Sequence, residues 1–249
     1  MWSGSGRRTY RKTRPHQISR KSKCNPPPEW YDRAMAPTCD SSQTNRLLRQ
    51  SDLHNPPALA ELFARHRERL RKMVRLRLDG RLRGRVSSSS VLEQVYHEVE
   101  GRIDEYLRDR SRPFYLWLRA VTGERLQQIH RQHLGNTAAQ AGQEIHLHSG
   151  AMPEIDAASM AAQLMGDRAA NQAALRADLL LQLQSALNGL APLDRELLAL
   201  RNFEELNNDA AATVLGLEPA TVTVRYLQAL KRLNEILRSI PGFFATGRG

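Results

Sequence analysis

The chain has 249 residues and carries 37 lysines and arginines against 26 aspartates and glutamates, a formal net charge of +11 at pH 7. This balance suits a polyanionic partner such as nucleic acid, and an anionic membrane surface would serve equally well at this level. No apolar run approaches the roughly 20 residues of a spanning helix, and no apolar segment follows the basic N-terminus as in a signal peptide. We therefore expect a cytoplasmic protein, and the length favours two small domains.

The N-terminal stretch, residues 1–45, is predicted to be a disordered basic tail. Eight lysines and arginines precede its first acid, Glu29, and the segment "NPPPEW" with scattered Ser, Thr and Gly cannot offset the entropy of folding. Its two cysteines, Cys24 and Cys39, provide neither a disulfide framework nor a four-thiolate zinc site. We expect free thiols.

Three amphipathic helices are predicted next. The segment "ALAELFARHRERLRKMVRLRL" (58–78) places apolar residues on one face with Arg and Lys between them. In "SSSSVLEQVYHEVEGRIDEYL" (87–107) a Ser run can cap the start of a helix with a second apolar stripe. "RDRSRP" breaks that helix because Pro113 disfavours helical geometry at the residue before it. "FYLWLRAVTGERLQQIHRQHL" (114–134) then resumes as a third helix.

The second half is predicted to hold a linker and four further helices. Residues 135–172 mix Gly, Ala, Gln and His with only short apolar stretches, which is typical of a linker with at most one short helix. No alternating apolar pattern of a strand occurs anywhere, so we predict an all-α protein of two small helical domains joined by that linker. The four helices are predicted over residues 173–190, 192–204, 208–215 and 219–237.

The segment "AAATVLGLEPATVTVRYLQALKRL" (210–233) has the pattern of a helix-turn-helix. Small residues stand where two helices would cross, Gly216 supplies a turn residue, and Pro219 suits a first helical turn. Short or hydrogen-bonding side chains then face outward and could approach base edges in a major groove: Ala220, Thr221, Thr223, Val224, Arg225 and Gln228. By spacing alone, a structural hairpin of helices is an equal alternative.

The surrounding sequence favours the nucleic-acid interpretation. "LNGLAPLDRELLALRNFEELNNDAAATVLGLEPATVTVRYLQALKRL" (187–233) resembles region four of the extracytoplasmic-function (ECF) class of bacterial RNA polymerase sigma factors. Departures lie on the recognition helix, where Glu218 replaces a usual Ser, Ala220 a Gly, and Thr223 with Val224 a Lys-Ser pair. The positions that match the family pattern are Pro192, Arg195, Glu196, Leu200, Arg201, Ala212, Leu215, Gly216, Thr221, Val222, Arg225, Ala229 and Leu230.

The first half is similar to region two of the same family, more loosely. "LFARHRERLRKMV" resembles its opening helix, and residues 114–134 resemble its fourth, with Trp117, Leu118, Arg125 and Arg131 at matching positions. Between them the family has Asp-x-x-Asp before Val-Gln-Glu-x-Phe, whereas this chain has "SSSSVLEQVY", which weakens the inference of polymerase binding. The segments "RIDEYL", "RPFYLWLR", "HRQHLG" and "ALKRLNEIL" together look most like a divergent group common in planctomycete bacteria.

The resemblance implies a sigma factor that directs core RNA polymerase to specific promoter DNA and supports transcription initiation, and not an enzyme. Residues 46–134 would bind core polymerase and the minus-ten element, residues 173–240 the minus-thirty-five element, and residues 241–249 would be a tail. An anti-sigma factor is left open as a further partner. The implied minus-thirty-five contacts are Pro219, Ala220, Thr221, Thr223, Val224, Arg225 and Gln228. The implied minus-ten contacts are Arg108, Arg110, Arg112, Tyr115, Arg119 and Arg125. The implied polymerase contacts are Glu93, Gln94, His97 and Glu98.

Other interpretations remain at this stage. An ordinary helix-turn-helix regulator would bind operator DNA without polymerase, but the first half lacks βα alternation and an evident ligand pocket. A metal-dependent nuclease would need clustered carboxylates or histidines, and the acids are dispersed. Two histidine pairs lack a completing ligand, so we expect no metal and no other cofactor: His130 with His133, and His146 with His148.

Two residues of the third helix need a separate interpretation. Trp117 could stack on an unpaired base, but its place in an apolar stripe favours the core. Gly123 lies inside the same predicted helix, where glycine costs about 1 kcal/mol relative to Ala, and close helix packing is the one reason we can give for it.

Overall fold

The computed structural model describes residues 42–50, 55–141, 147–148, 152–166, 173–241 and 243. Most of the basic tail with Cys24 and Cys39, His146, parts of the linker and most of the C-terminal tail lie outside these residues. In the described ranges the chain forms nine α-helices: α1 Ser42–Gln50, α2 Pro56–Arg77, α3 Ser88–Arg108, α4 Phe114–Ala141, α5 Ala157–Met165, α6 Ala173–Asn188, α7 Pro192–Asn202, α8 Asn208–Leu215 and α9 Pro219–Ser239.

The prediction of an all-α protein is confirmed. One feature outside it is a pair of antiparallel strands, β1 Leu147–His148 and β2 Met152–Pro153. Strands of two residues are too short to show an alternating apolar pattern, so the sequence carries no signal for them.

The first helical domain is built on α2, α3 and α4, which pack against one another. Ser87 caps α3 by accepting a hydrogen bond from the Ser90 amide, and the Ser90 hydroxyl bonds back to the Ser87 amide. Helix α3 ends before Pro113 and α4 begins immediately after it, as the proline predicts. Trp117 is buried between α3 and α4, next to Tyr106 and Phe114, so the core assignment is confirmed.

Helix α1 lies ahead of this domain and packs on α2. It begins at Ser42, inside the stretch that the sequence predicts to be tail. Thr44 and Leu48 are buried. Two adjacent apolar side chains, Leu47 and Leu48, on a nine-residue helix do not repeat at a helical spacing that the sequence would reveal, and the helix packs on α2.

The second helical domain comprises α6 to α9, with α9 packed against the other three helices. Asn207 caps α8 by accepting from the Ala210 amide, and Gly216 ends it in the left-handed conformation with φ of 65°. Pro219 starts α9, and the inward side chains of Val222, Ala229 and Leu233 are buried. These are the elements of a helix-turn-helix.

The linker is folded over residues 152–166. Asp156 caps α5 through the Ala158 and Ser159 amides, and its own amide bonds to the carbonyl of Leu76 at the end of α2. Helix α5 packs against both α2 and α6, and β2 packs against α4. The linker thus contacts both helical domains.

Candidate nucleic-acid interface

The outward face of the recognition helix, defined here as residues 219–233 of α9, is open to solvent. Each predicted minus-thirty-five contact lies on it, and all are exposed except Arg225, which is half-buried. The inward face is the one packed on α7 and α8. The structure therefore brings the seven predicted residues together on one accessible helix surface. These residues are Pro219, Ala220, Thr221, Thr223, Val224, Arg225 and Gln228.

Two of these side chains are already engaged within the domain. The Arg225 Nε donates to Asp194 Oδ1 over 2.8 Å, and Arg232 lies 3.8 Å from the same carboxylate. The Thr223 hydroxyl donates to the Pro219 carbonyl and accepts from the Asn208 amide group. These contacts fix the positions of both side chains within the domain.

One apolar residue of the outward face was missed by the sequence analysis. Leu227 is 55% exposed and lies one helical turn beyond Val224, which is 57% exposed. Apolar side chains in a major groove contact thymine methyl groups. Leu227 could have been found by continuing the outward register three residues past Val224.

A second basic surface lies at the end of α3 and on the loop that leads to α4. Arg108, Arg110 and Arg112 are exposed, and none of them forms an ion pair with another residue of the described part of the chain. Unpaired guanidinium groups at this density give a local positive potential suited to phosphate. Three of the six predicted minus-ten residues therefore lie close together in the chain on one exposed segment.

A small polar cavity of about 170 Å³ adjoins this loop. Its lining includes Arg112, Trp117 and Tyr106. Arg102 also lines the cavity and pairs with Glu124 over 2.6 Å and with Glu105 over 3.1 Å. Charged side chains dominate the lining of this cavity, which suits a polar ligand.

The other three predicted minus-ten residues are not on that surface. Tyr115 is fully buried and Arg119 nearly so, and both side chains face Glu204 of the second domain. Arg125 is half-buried, bonded to Gln128 and 3.4 Å from Glu98. In this arrangement of the domains, Tyr115 and Arg119 have no access to DNA.

The predicted polymerase surface lies on the solvent side of α3. Glu93, Gln94 and His97 are exposed, whereas Glu98 is half-buried beside Arg125. His97 Nδ1 lies 3.1 Å from Glu100. Three of the four residues are therefore available to a partner.

A buried cluster of charges joins the two domains, and sequence reasoning did not find it. Arg77 at the end of α2 donates two hydrogen bonds, of 2.7 and 2.8 Å, to the carboxylate of Glu196 of α7 in a bidentate arrangement. It donates a third hydrogen bond of 2.8 Å to Glu204. Arg119 of α4 bonds to Glu204 over 2.7 Å and to Glu196 over 3.2 Å. All four side chains are at most 7% exposed.

The charges within this cluster compensate one another. Burial alone would raise the pKa of Glu204, but the guanidinium groups of Arg119 and Arg77 outweigh it and hold that pKa below its ordinary value. Burial would likewise lower the pKa of Arg77, and the carboxylates of Glu196 and Glu204 raise it instead. Both groups stay charged near neutral pH.

Metal binding and membrane insertion find no support in the described ranges. They contain no group of three or more His, Cys, Asp or Glu side chains arranged to hold a metal ion. His130 accepts a hydrogen bond from the Asp79 amide, and burial lowers its pKa. Of the helices described, none is long and apolar enough to cross a membrane.

Comparison with known proteins points to the second domain. Residues 180–233 match the family described as "Sigma-70, region 4", and no curated protein matches the chain. A solved structure of CnrH in complex with the cytosolic domain of CnrY is similar at 19% identity with a TM-score of 0.45, covering 79% of this chain and 95% of that chain. The part of the second domain from within α6 through α7 and α8 into α9 is therefore similar to region 4 of the sigma-70 family.

Proposed function

We propose that this protein is a sigma factor of the ECF class, which directs core RNA polymerase to specific promoters and supports transcription initiation. The observation that carries the proposal is the match of residues 180–233 to sigma-70 region 4. The exposed outward face of the recognition helix supports it, because that face holds every residue that the resemblance assigns to the minus-thirty-five element. The divergent planctomycete group remains the proposed subfamily.

The second domain would read the minus-thirty-five element. Its recognition helix presents short side chains at the start, where a helix enters the major groove, and an apolar pair, Val224 and Leu227, farther along. Arg225, whose guanidinium group is held by Asp194, would contact a backbone phosphate. We expect thymines among the bases that the recognition helix selects, because their methyl groups can contact Val224 and Leu227.

The first domain would act on the minus-ten element. Its exposed arginines at 108, 110 and 112 would hold the backbone of the separated strand, and the adjoining cavity would take a base. This assignment rests on the resemblance of residues 46–134 to region two. No catalytic group is needed, because a sigma factor positions DNA and the polymerase performs the chemistry.

Core RNA polymerase and promoter DNA are the proposed partners, with the cytoplasm as the site of action. Polymerase would bind the exposed face of α3 that carries Glu93, Gln94 and His97. An anti-sigma partner follows from the family resemblance alone.

Run-off transcription with purified core polymerase tests the proposal. We expect transcripts from a selected promoter only when the full chain is added. Replacing Arg108, Arg110 and Arg112 together by Ala should abolish transcripts while the chain still binds minus-thirty-five duplex. A control with Arg65, Arg75 and Arg238 replaced removes the same charge elsewhere and should transcribe.

The alternative, a helix-turn-helix regulator that binds operator DNA without polymerase, predicts a different result. Such a protein would bind duplex DNA tightly by itself and would give no transcripts with core polymerase at any template. That combination would overturn the sigma assignment.

A further inference from the structure

Two surfaces of opposite charge meet between the domains. We call Arg69, Lys72 and Arg77 of α2, with Arg119 of α4, the basic face. We call the carboxylates that cover it, Glu196 of α7 and Glu204 and Glu205 of the turn after α7, the acidic elbow. Beyond the buried cluster, the Arg69 Nε donates to the Glu204 carbonyl over 2.8 Å and Lys72 lies 3.1 Å from Glu205.

The basic face has the construction of a phosphate site. Arg77 binds Glu196 through two parallel N–H donors, which is the geometry that guanidinium groups use for carboxylate and phosphate alike. The Tyr115 hydroxyl lies 3.5 Å from the same Glu204 oxygen that Arg119 contacts. Arg69 stacks over the Tyr115 ring, with its Cζ 3.7 Å from the ring centroid. A tyrosine hydroxyl and several guanidinium groups thus converge on two carboxylates.

Part of the basic face follows closely in the chain on a basic loop that is already exposed. Tyr115 and Arg119 lie on the first turns of α4, immediately after the loop that carries Arg110 and Arg112. When the domains separate, this loop and the basic face would form one positively charged track. In the closed arrangement the elbow covers its inner part.

The elbow is held in an unusual backbone geometry. Glu205 has a φ of 57°, and it is the one non-glycine residue with positive φ in the described ranges. This conformation costs a non-glycine residue free energy, and it directs the Glu205 carbonyl and carboxylate toward Arg69 and Lys72. The contacts of the elbow with the basic face therefore require a backbone conformation at Glu205 that is unfavourable in free energy.

We propose that the acidic elbow occupies a nucleic-acid backbone site on the basic face, so that closure of the two domains excludes DNA from it and separation exposes it. The proposal rests on the proposed function, since it adds a regulated inner half to the minus-ten surface. The expected ligand is the phosphate backbone of single-stranded DNA, because only the loop and the cavity offer groups that distinguish bases.

The test removes the two buried negative charges of the elbow while keeping the shape of both side chains. The variant Glu196→Gln/Glu204→Gln leaves Arg77 and Arg119 buried without counter-charges, which disfavours closure. The matched control, Glu61→Gln/Glu235→Gln, makes the same change in net charge at exposed positions. Both are compared with the wild type by small-angle scattering, and by fluorescence anisotropy with a labelled single strand of 20 random nucleotides.

We expect the elbow variant to show a larger radius of gyration and about tenfold tighter binding, with a steeper salt dependence because more phosphates are contacted. Adding Arg77→Gln and Arg119→Gln should remove that gain. Domain separation without tighter binding would overturn the proposal. Unchanged scattering and binding would overturn it too, as would an equal gain in the control.

A cross-link tests the same idea without depending on the folding of the elbow variant. In a chain with Cys24→Ser and Cys39→Ser, the pair Lys72→Cys/Glu205→Cys is joined by a short bis-maleimide. The joined chain should bind the random strand more weakly than the unjoined chain, and equal binding would contradict the proposal. Run-off transcription by the wild type, measured separately, decides whether the sigma assignment itself has failed.

Discussion

The amide nitrogen Nδ2 of Asn208 donates a hydrogen bond to Oγ1 of Thr223 over 2.8 Å, which ties the first turn of α8 to the outward face of α9. The same hydroxyl donates to the Pro219 carbonyl over 3.0 Å. The hydroxyl that the sequence assigns to base recognition therefore also orients the recognition helix against α8.

We expect Thr223→Val to lower the free energy of unfolding of the second domain by about 1 kcal/mol, because it removes both hydrogen bonds at nearly constant shape. Thr223→Ser keeps the hydroxyl and should stay close to the wild type. Thermal melting of the two variants measures the difference, and a promoter-library selection should show altered base preferences for Val. Identical melting temperatures of the Val and Ser variants would show that the hydrogen bonds of the Thr223 hydroxyl do not stabilise the domain.

The two faces of α9 should separate stability from specificity. Val222 is fully buried and Val224 is 57% exposed, so the same substitution can be made on each face. Val222→Ala should cost about 2 kcal/mol through lost apolar burial and a residual cavity. Val224→Ala should change stability by less than about 0.5 kcal/mol but shift the preferred minus-thirty-five bases. Equal destabilisation by the two variants would contradict this division.

Much of the fold follows from local sequence signals. The Ser87 cap, the break at Pro113 and the Gly216 turn each act within a few residues, and each lies where the sequence predicts it. The outward register of the recognition helix is equally local, because it follows from the 3.6-residue period of one helix. These features could be read without knowledge of the domain arrangement.

The charge cluster could not be predicted in this way. Arg77 and Glu196 are far apart in the chain, and each stands on a helix with several other charged residues. A charged residue on an amphipathic helix is ordinarily solvated, so nothing local marks these residues as buried. The same long-range contact accounts for the burial of Tyr115 and Arg119, which the resemblance assigns to the minus-ten surface.

Gly123 makes room for a side chain of the linker. A Cβ at this position would lie 2.3 Å from Cε and 2.9 Å from Sδ of Met152. We expect Gly123→Ala to displace Met152 and to leave stability nearly unchanged, because the gain in helix propensity, about 1 kcal/mol, offsets the lost packing.

A double-mutant cycle makes this prediction specific. In a Met152→Ala background there is no methionine to displace, so Gly123→Ala should stabilise the protein by up to about 1 kcal/mol. Denaturant unfolding of the four chains gives the coupling free energy. Strict additivity would indicate that Met152 does not restrict this position.

The protein should be more stable with glycine at position 205 than with alanine. Glycine adopts positive φ without the steric cost of about 1 to 2 kcal/mol that a Cβ brings, although it loses more entropy on folding. Both substitutions remove the exposed pair with Lys72, which contributes at most about 1 kcal/mol. We expect the free energy of unfolding of the Glu205→Gly variant to exceed that of the Glu205→Ala variant by up to about 1 kcal/mol in unfolding experiments. The opposite order would mean that the turn relaxes when the carboxylate is removed.

His66 should make the stability of the first domain depend on pH. Its ring is buried near Phe114 and Tyr115. Burial, with the charges of Arg69 and Arg65, lowers its pKa from 6.5 to about 4. Between these two values the unfolded chain binds a proton that the folded chain does not, so the free energy of unfolding must fall as the pH decreases. From pH 6.5 to 5 the expected loss is roughly 1.5 kcal/mol.

The variant His66→Leu isolates this contribution, with His133→Leu as a control at an exposed position of α4. Glu204 does not interfere, because its pKa lies below the ordinary value of 4.5 and its protonation weakens the fold only at lower pH. His130, whose pKa is also lowered, acts in the same direction and is present in every chain. Urea unfolding at pH 6.5 and pH 5 should therefore show a smaller pH dependence for His66→Leu than for the control. An unchanged dependence would mean that the His66 ring becomes protonated within the folded domain.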